Sequence, residues 1–158
     1  MSTVLVGRVP TVGQPAPDFS LPSTSGETVT LASRRGHPVL LAFFPAAFTS
    51  VCTAEMCAFV EDYDAFATND VEVFPISVDP VDQLAAFRDS LELHAHMLSD
   101  VGREAAEAYG VLHPDSRIAW RAYFLVDREG VLRWAHVEEH PGLRRENAEI
   151  LDQIARLG

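Results

Sequence analysis

The spacing of hydrophobic residues changes along the chain, and it predicts where strands and helices lie. Residues 39–44, VLLAFF, form an unbroken apolar run, which is typical of a central strand covered on both faces. After a short loop, apolar residues from position 56 to position 67 recur every three or four residues, as in an amphipathic helix. Residues 71–78, VEVFPISV, predict another strand, in which Pro75 indicates a bulge or an edge.

The residues before the apolar strand predict a short hairpin. Phe19 and Leu21 alternate with polar residues, a turn is predicted at Ser25 and Gly26, and the rest of SGETVTL predicts a second short strand. The first eleven residues are predicted to form a loose arm or an edge strand. The predicted fold therefore begins with an N-terminal hairpin extension.

Two further helices are predicted in the middle of the chain. The first starts at Asp79 or the residues just after it, where an N-terminal capping residue is expected. Residues 96–98 are a candidate short strand. Ser99 or Asp100 is expected to cap the second helix, which continues through Tyr109.

The last third of the chain predicts a hairpin and a closing helix. Residues 123–126 and 131–136 flank the turn DREG, in which Gly130 supplies a permissive backbone. Apolar residues from Leu143 onwards lie on one side of the final helix. Strands that alternate with helices, then a hairpin and a helix, predict an α/β protein with a central mixed sheet flanked by helices, the element order of a thioredoxin-like fold.

Composition limits the classes of function. Of the 158 residues, 47% are apolar, which is enough for one domain, residues 1–158, with a sizeable core. A formal net charge of −11 disfavours nucleic acid and anionic membranes as partners, because both attract positive charge. No apolar run approaches the roughly 20 residues of a membrane span, and the apolar patch near the start is too short for a secretory signal. We therefore predict a cytoplasmic protein.

Both cysteines, Cys52 and Cys57, follow the apolar strand. In a reducing compartment they indicate catalysis or metal binding rather than a structural disulfide. Cys52 lies where the loop enters the predicted helix, and a cysteine in a first helical turn meets unpaired amide donors and the positive end of the helix dipole, which favour the reactive thiolate. On position alone, a small buried structural cysteine is an equal alternative.

A motif around this cysteine changes the balance. Pro45, Thr49 and Cys52 form the pattern P-x-x-x-T-x-x-C directly after the apolar strand. Further stretches follow in order: GQPAPDFSL, SVDP, LSD, YGV and RAYFLVDREGVLRW. From about residue 12 to residue 157, the chain resembles the peroxiredoxins, the AhpC/TSA superfamily. Its features lie between the alkyl hydroperoxide reductase E type and the bacterioferritin-comigratory (Q) type.

The resemblance implies a role for each residue of the motif. Cys52 is the expected peroxidatic cysteine, whose thiolate attacks a hydroperoxide and becomes a sulfenic acid. Thr49 is expected to bind the peroxide, and Pro45 to shield the site from water. Arg121 is expected to stabilise the thiolate and the leaving oxygen, and Glu55 to orient Arg121.

Each of these residues has a simpler alternative. Arg117, four residues before Arg121, competes for the same role, and either could be a solvated charge. Glu55 is a surface residue in the first helical turns unless the resemblance holds. Thr49 is also a natural N-cap, which is compatible with catalysis. Trp120 lines the pocket in one interpretation and packs in the core in the other.

The role of Cys57 is open. The spacing C-x4-C resembles the Q type, in which the second cysteine resolves the sulfenic acid as an intramolecular disulfide, whereas the E group lacks a required resolving cysteine on this helix. Five helical residues separate the two side chains by about 7.5 Å of rise and about 140° around the axis. Since a disulfide needs Cα atoms within about 7 Å, the helix has to unwind first. We predict that Cys57 resolves Cys52, with a buried core residue as the alternative.

The predicted partners are small molecules and thiols. The resemblance implies a hydroperoxide substrate and recycling by thioredoxin or a low-molecular-weight thiol, without metal or organic cofactor. Zinc at Cys52, Cys57, His94 and His96 is not favoured, because no C-x2-C or H-x3-H set is present. Phe48 and other apolar residues of the active-site loop could pack a homodimer. A dithiol oxidoreductase is weakened by the lack of C-x-x-C, and a redox-sensing module remains the non-enzymatic alternative.

Overall fold

A computed structural model of the chain describes residues 8–138 and 144–157. Within these residues the elements, besides a 3-10 turn at Ala32–Arg34, are β1 (Ser20–Pro22), β2 (Thr28–Thr30), β3 (Val39–Phe43), α1 (Ser50–Glu61), α2 (Tyr63–Thr68), β4 (Glu72–Ser77), α3 (Val81–Leu91), β5 (Leu98–Ser99), α4 (Glu104–Ala108), β6 (Ala122–Val126), β7 (Leu132–Val137) and α5 (Asn147–Ala155). The predicted position of Leu143 in the final helix lies outside the described residues.

Five strands form the central sheet in the order β5-β4-β3-β6-β7. Strand β3 pairs in parallel with β4 and antiparallel with β6, so the sheet is mixed. Strands β1 and β2 form a separate antiparallel hairpin. The α/β prediction is therefore confirmed: a central mixed sheet flanked by helices, as in a thioredoxin-like fold, with the hairpin ahead of it. In the described residues, no helix is long and apolar enough to cross a membrane.

Both faces of β3 are buried, as its unbroken apolar sequence predicts. Because side chains alternate along a strand, Leu41 and Phe43 enter one hydrophobic cluster while Leu40 and Ala42 enter another. The second cluster also contains Cys52 and other residues of α1, together with Tyr123 of β6. Cys52, the cysteine of the sequence motif, therefore packs against this face of the sheet.

The single helix predicted across residues 56–67 is wrong, because the chain breaks at Asp62 between α1 and α2. The side chain of Asn147, at the start of α5, donates to the Ala58 carbonyl at 2.8 Å and to Asp62 Oδ2 at 2.9 Å. Asn147 is only 6% exposed, so its amide needs these acceptors. A contact from the far end of the chain thus accompanies a break that local periodicity does not predict.

The sequence predicts a bulge or an edge at Pro75, and the structure agrees with a local edge at this residue but not with a bulge. Pro75 pairs in register with Ala42 of β3, so there is no bulge at this position. Strand β5 pairs only with Ile76 and Ser77, so Pro75 has no strand partner on that side in the described sheet. Since proline has no N–H to donate, the short β5 accommodates it.

Two polar residues show how the ends of the helices are stabilised. Asp100 accepts hydrogen bonds from the backbone N–H groups of Ala105 and Ala106, at 3.1 and 2.8 Å, so its side chain stabilises the start of α4 as predicted, although the N-cap position itself is Arg103. Helix α3 begins after Pro80, and no side chain caps it. The carboxylate of Asp79, one of the residues proposed for that cap, is instead directed to the loop before α1.

The N-terminal arm is only partly described, because residues 1–7 lie outside the description. The backbone of Arg8 and Val9 lies directly against Gly110: a Cβ atom built on Gly110 would be 2.3 Å from the Arg8 carbonyl carbon. Gly13 donates to the Leu132 carbonyl at 2.7 Å. The described part of the arm therefore packs against Gly110, just after α4, and hydrogen-bonds to the start of β7.

Candidate active site

The chain passes from β3 into α1 through a short loop that places Cys52 in the first turn of the helix. Thr49 has extended backbone angles at the N-cap position. Its hydroxyl donates to the Ala46 carbonyl at 3.0 Å rather than capping the helix. The unpaired N–H groups at this helix end lie beside Cys52, so the local field favours a negative charge at its sulfur.

The loop before α1 is anchored by Asp79. Asp79 Oδ2 accepts a hydrogen bond from the Ala47 N–H at 2.8 Å and from the Ser77 hydroxyl at 2.7 Å. Phe48, which follows Ala47 in the loop, has a positive φ of 65° and is 54% exposed, and its ring lies 4.9 Å from that of Phe87. The loop that leads to Cys52 is thus held by contacts with the end of β4 and with α3.

Arg121 contacts the cysteine directly. Its Nη2 lies 3.1 Å from Cys52 Sγ, and its Nη1 lies 2.7 Å from Glu55 Oε1. Cys52 and Arg121 are each only 1% exposed, and Glu55 is 2% exposed. A buried cation between a sulfur and a carboxylate provides electrostatic stabilisation for an anionic sulfur, because water screens the charges little at this depth.

The burial of these groups shifts their proton affinities. Burial raises the pKa of Glu55 above its ordinary value, while Arg121 and the Tyr123 hydroxyl act in the opposite direction. Burial alone would lower the pKa of Arg121, but Glu55 and the Cys52 sulfur outweigh it and keep that pKa above its usual value. The guanidinium group therefore stays charged.

Sequence reasoning missed Tyr123, which completes this cluster. Its hydroxyl donates to Glu55 Oε2 at 2.6 Å and accepts from the Arg145 N–H at 3.1 Å. The signal was present in the sequence: Tyr123 is two residues after Arg121 at the start of a predicted strand, and alternate residues of a strand share a face.

The structure brings together Cys52, Glu55 and Arg121, and it places the other candidates around them. Pro45 is half-buried in the loop before α1, and Thr49 is exposed there. The rival Arg117 is exposed, and its carbonyl accepts a hydrogen bond from Arg103 at 2.8 Å. Of the two arginines, it is Arg121 that contacts the cysteine.

Cys57 lies on a different side of α1 from Cys52. It is exposed, whereas Cys52 is buried, and both are free thiols. Helix α1 is continuous from Ser50 to Glu61, so the two cysteines are held apart in this state. The alternative of a buried core residue for Cys57 is wrong.

The remaining candidates lie elsewhere. Trp120 stacks on His113 with ring centroids 5.3 Å apart and packs against the cluster on the other face of the sheet from Cys52. The rings of His94 and Tyr63 lie 5.0 Å apart at a tilt of 34°, and His96 contacts the Thr24 hydroxyl at 3.0 Å. In residues 8–138 and 144–157, no group of three His, Cys, Asp or Glu side chains is placed to hold a metal ion.

Comparison with known proteins defines the class. Residues 12–135 match the AhpC/TSA family, and the chain belongs to that family. It is a thiol-dependent peroxidase of the peroxiredoxin group, as the resemblance implied.

Individual relatives agree with this assignment. The chain is 40% identical over 136 residues to a putative peroxiredoxin of Synechocystis, covering 80% of this chain and 68% of that protein. It is 36% identical over 149 residues to alkyl hydroperoxide reductase E of Mycobacterium tuberculosis, covering 92% and 97% of the two chains.

Solved structures show the same fold. The reduced 2-Cys peroxiredoxin of Plasmodium vivax superposes with a TM-score of 0.86 at 30% identity, covering 94% of this chain and 82% of that one. Enterococcus faecalis AhpC superposes with a TM-score of 0.86 at 25% identity, covering 92% and 91%.

Proposed function

We propose that this peroxidase reduces hydrogen peroxide and organic hydroperoxides at Cys52. The thiolate attacks one peroxide oxygen, an S–O bond forms, and the O–O bond breaks. The leaving oxygen takes a proton and departs as water or an alcohol, which leaves Cys52 as a sulfenic acid. The observation that carries this proposal is the buried guanidinium group of Arg121, 3.1 Å from the sulfur and 2.7 Å from Glu55.

Arg121 and the loop residues have separate roles in this reaction. Arg121 stabilises the thiolate before attack and the charge that develops on the leaving oxygen during it. Thr49 is exposed at the N-cap position, and its hydroxyl oxygen accepts a hydrogen bond from the bound peroxide while its proton is donated to the Ala46 carbonyl. Half-buried Pro45 limits the access of water. Glu55 keeps the guanidinium group aimed at the sulfur through their ion pair.

We propose further that Cys57 resolves the sulfenic acid. Its thiolate attacks the Cys52 sulfur, an S–S bond forms as the S–O bond breaks, and the sulfenic oxygen takes a proton and leaves as water. Because the two cysteines lie on different sides of a continuous helix, the first turns of α1 unwind before this step. A thioredoxin-like protein or a small thiol then reduces the disulfide.

This catalytic cycle requires a reducing compartment, in which the disulfide can be reduced again. Two free thiols and a thiol-dependent reductant fit the cytoplasm, where we place the protein. Phe48, 54% exposed on the active-site loop, is an apolar contact for a homodimer. Light scattering of the parent protein and Phe48→Ala tests this, since loss of the contact shifts the population towards monomer.

Peroxide consumption with excess dithiothreitol tests the peroxidatic role. The parent protein consumes peroxide over many turnovers, and Cys52→Ser consumes none, whereas Cys57→Ser retains turnover because the small thiol resolves the sulfenic acid directly. Consumption by Cys52→Ser at the parent rate would overturn the assignment. A parent that is oxidised once but does not turn over is a redox sensor instead.

Peptide mapping after one equivalent of peroxide tests the resolving role. We expect a disulfide between Cys52 and Cys57 in the parent and none in Cys57→Ser. A persistent sulfenic acid, or only a mixed disulfide with added thiol, would assign the protein to the one-cysteine mechanism.

A further inference from the structure

Tyr123 is linked to the reacting sulfur of Cys52 through hydrogen bonds by way of Glu55 and Arg121. It is fully buried on β6, on the face of the sheet that packs against α1. Its hydroxyl has two partners: it accepts from the Arg145 N–H and donates to Glu55 Oε2. Burial, with the adjacent negative charge of Glu55, raises the pKa of Tyr123, so the hydroxyl remains a donor at neutral pH.

The carboxylate of Glu55 is held at both oxygens by Arg121, immediately before β6, and by Tyr123, the second residue of that strand. Arg121 binds Oε1 at 2.7 Å and Tyr123 binds Oε2 at 2.6 Å. Two contacts on one carboxylate define its plane, which a single contact does not. The orientation of the guanidinium group towards Cys52 Sγ, at 3.1 Å, depends on that plane. Removal of the tyrosine hydroxyl leaves a buried oxygen of Glu55 without this donor, which is costly.

We propose that Tyr123 is a positioning residue of the peroxidase: its hydroxyl holds Glu55, and through Glu55 it holds both the Arg121 guanidinium group and the first turns of α1. The proposal rests on the proposed function of Cys52. It extends that function to a residue that touches neither the sulfur nor the substrate.

The position of Glu55 on α1 gives the contact a second consequence. Glu55 lies between Cys52 and Cys57, in the stretch that unwinds before a disulfide forms. While Tyr123 and Arg121 hold its carboxylate, this stretch stays helical. The same hydrogen bond therefore favours oxidation of Cys52 and opposes its resolution by Cys57.

Tyr123→Phe tests the proposal, because phenylalanine keeps the ring and removes only the hydroxyl. Tyr109→Phe is the matched control. Tyr109 is also fully buried, and its hydroxyl donates to the Pro17 carbonyl at 2.6 Å on the other face of the sheet. Rapid-mixing kinetics separates the second-order oxidation by hydrogen peroxide from the later first-order formation of the disulfide.

The expected effects have opposite signs. In Tyr123→Phe, oxidation slows by roughly tenfold, the kinetic equivalent of about one hydrogen bond, and disulfide formation becomes several times faster. In Tyr109→Phe, both rates stay within about twofold of the parent. An unchanged oxidation rate in Tyr123→Phe, or an equal loss in Tyr109→Phe, would overturn the proposal.

A pH profile supplies a readout that a purely structural role does not move. Glu55 faces Arg121, Tyr123 and the charge of Arg144, and the Tyr123 hydrogen bond is one of the contacts that lower its pKa. Loss of that contact raises the pKa of Glu55 further. Glu55 orients Arg121 as a carboxylate, so protonation of Glu55 slows oxidation at low pH. The acid limb of the oxidation rate is therefore expected to move to higher pH in Tyr123→Phe and to stay in place in Tyr109→Phe. An unshifted limb contradicts the proposal.

Failure of the two proposals can be told apart. A parent protein that does not react with peroxide refutes the proposed function whatever the variants do. If the parent is oxidised but forms no disulfide with Cys57, the resolving role fails, and the oxidation rate and pH profile of Tyr123→Phe alone decide the role of Tyr123. Circular dichroism and urea unfolding of both tyrosine variants confirm that each rate belongs to folded protein.

Discussion

Arg121 Nη2 lies 3.1 Å from Cys52 Sγ although the two residues are 69 positions apart in the sequence. Strand pairing accounts for this proximity. Strands β3 and β6 are antiparallel neighbours, and the pair Phe43 and Ala122 lies at the end of their ladder. Cys52 follows β3 after a short loop, and Arg121 immediately precedes β6. Both residues therefore lie at the same end of these two central strands.

Replacing Arg121 is expected to slow oxidation of Cys52 sharply. Loss of one preorganised donor at a developing charge typically costs about 10² to 10³ in rate, so Arg121→Ala is expected to fall in this range. Arg121→Lys keeps the charge but loses the fork that reaches Cys52 and Glu55 together, and it recovers only part of the rate. Stopped-flow oxidation measures the effect. Arg117→Ala is the control, and a comparable loss there would make Arg117 the functional residue.

Glu55→Gln is expected to change stability in a pH-dependent way. The raised pKa of Glu55 means that the folded protein holds this proton at a higher pH than the unfolded chain does. As the pH rises through this interval, the wild type loses stability relative to a variant that cannot titrate. Urea unfolding at about pH 4 and about pH 7 should therefore show the variant gaining relative to the wild type at the higher pH.

The same variant is expected to lose activity, because Arg121 no longer has a carboxylate to orient it. Glu61→Gln is the control, since Glu61 is exposed on the same helix and its replacement leaves both measurements close to the parent. A gain of the Glu55 variant at acid pH instead of neutral pH would show that the shift has the opposite sign.

Asp79→Ala is expected to loosen the loop before α1. The carboxylate binds the Ala47 N–H and the Ser77 hydroxyl, and loss of such contacts costs about 1 to 3 kcal/mol in unfolding free energy. Oxidation also slows, because the loop carries Thr49. Chemical unfolding and the oxidation rate are measured together. Asp89→Ala, at an exposed position of α3, is expected to stay within about 0.5 kcal/mol. Equal stability of the two variants would argue against an anchoring role.

Gly110→Ala is expected to detach the N-terminal segment. A Cβ atom there would lie 2.3 Å from the Arg8 carbonyl carbon and 2.4 Å from the Val9 nitrogen, and the backbone has a φ of +68°. Gly36→Ala is the control, because its φ is +101° but its Cβ meets nothing within 4 Å. Trypsin cleavage after Arg8 should accelerate in Gly110→Ala and not in Gly36→Ala. Equal cleavage of the two variants would show that the contact does not hold the segment.

The sequence predicts much of the fold because its main signals are local. The unbroken apolar run of β3, the turn at Gly130 and the stabilisation of the start of α4 by the Asp100 side chain each depend on neighbours within a few positions, and the structure agrees with all three. The break at Asp62 was not predictable in this way. It coincides with contacts from Asn147, which is 85 positions away.

The sequence by itself placed Cys52 at the junction of a strand and a helix and assigned the chain to its family, because motif order and periodicity are properties of neighbouring residues. Only the tertiary structure decided that Arg121 rather than Arg117 contacts the sulfur, that Tyr123 joins Glu55 beside it, and that Cys57 faces solvent. The physical reason is that the pairing of β3 with β6 and the packing of α1 on the sheet fix these distances. Charge and burial at the sulfur follow from contacts between residues that are far apart in the chain.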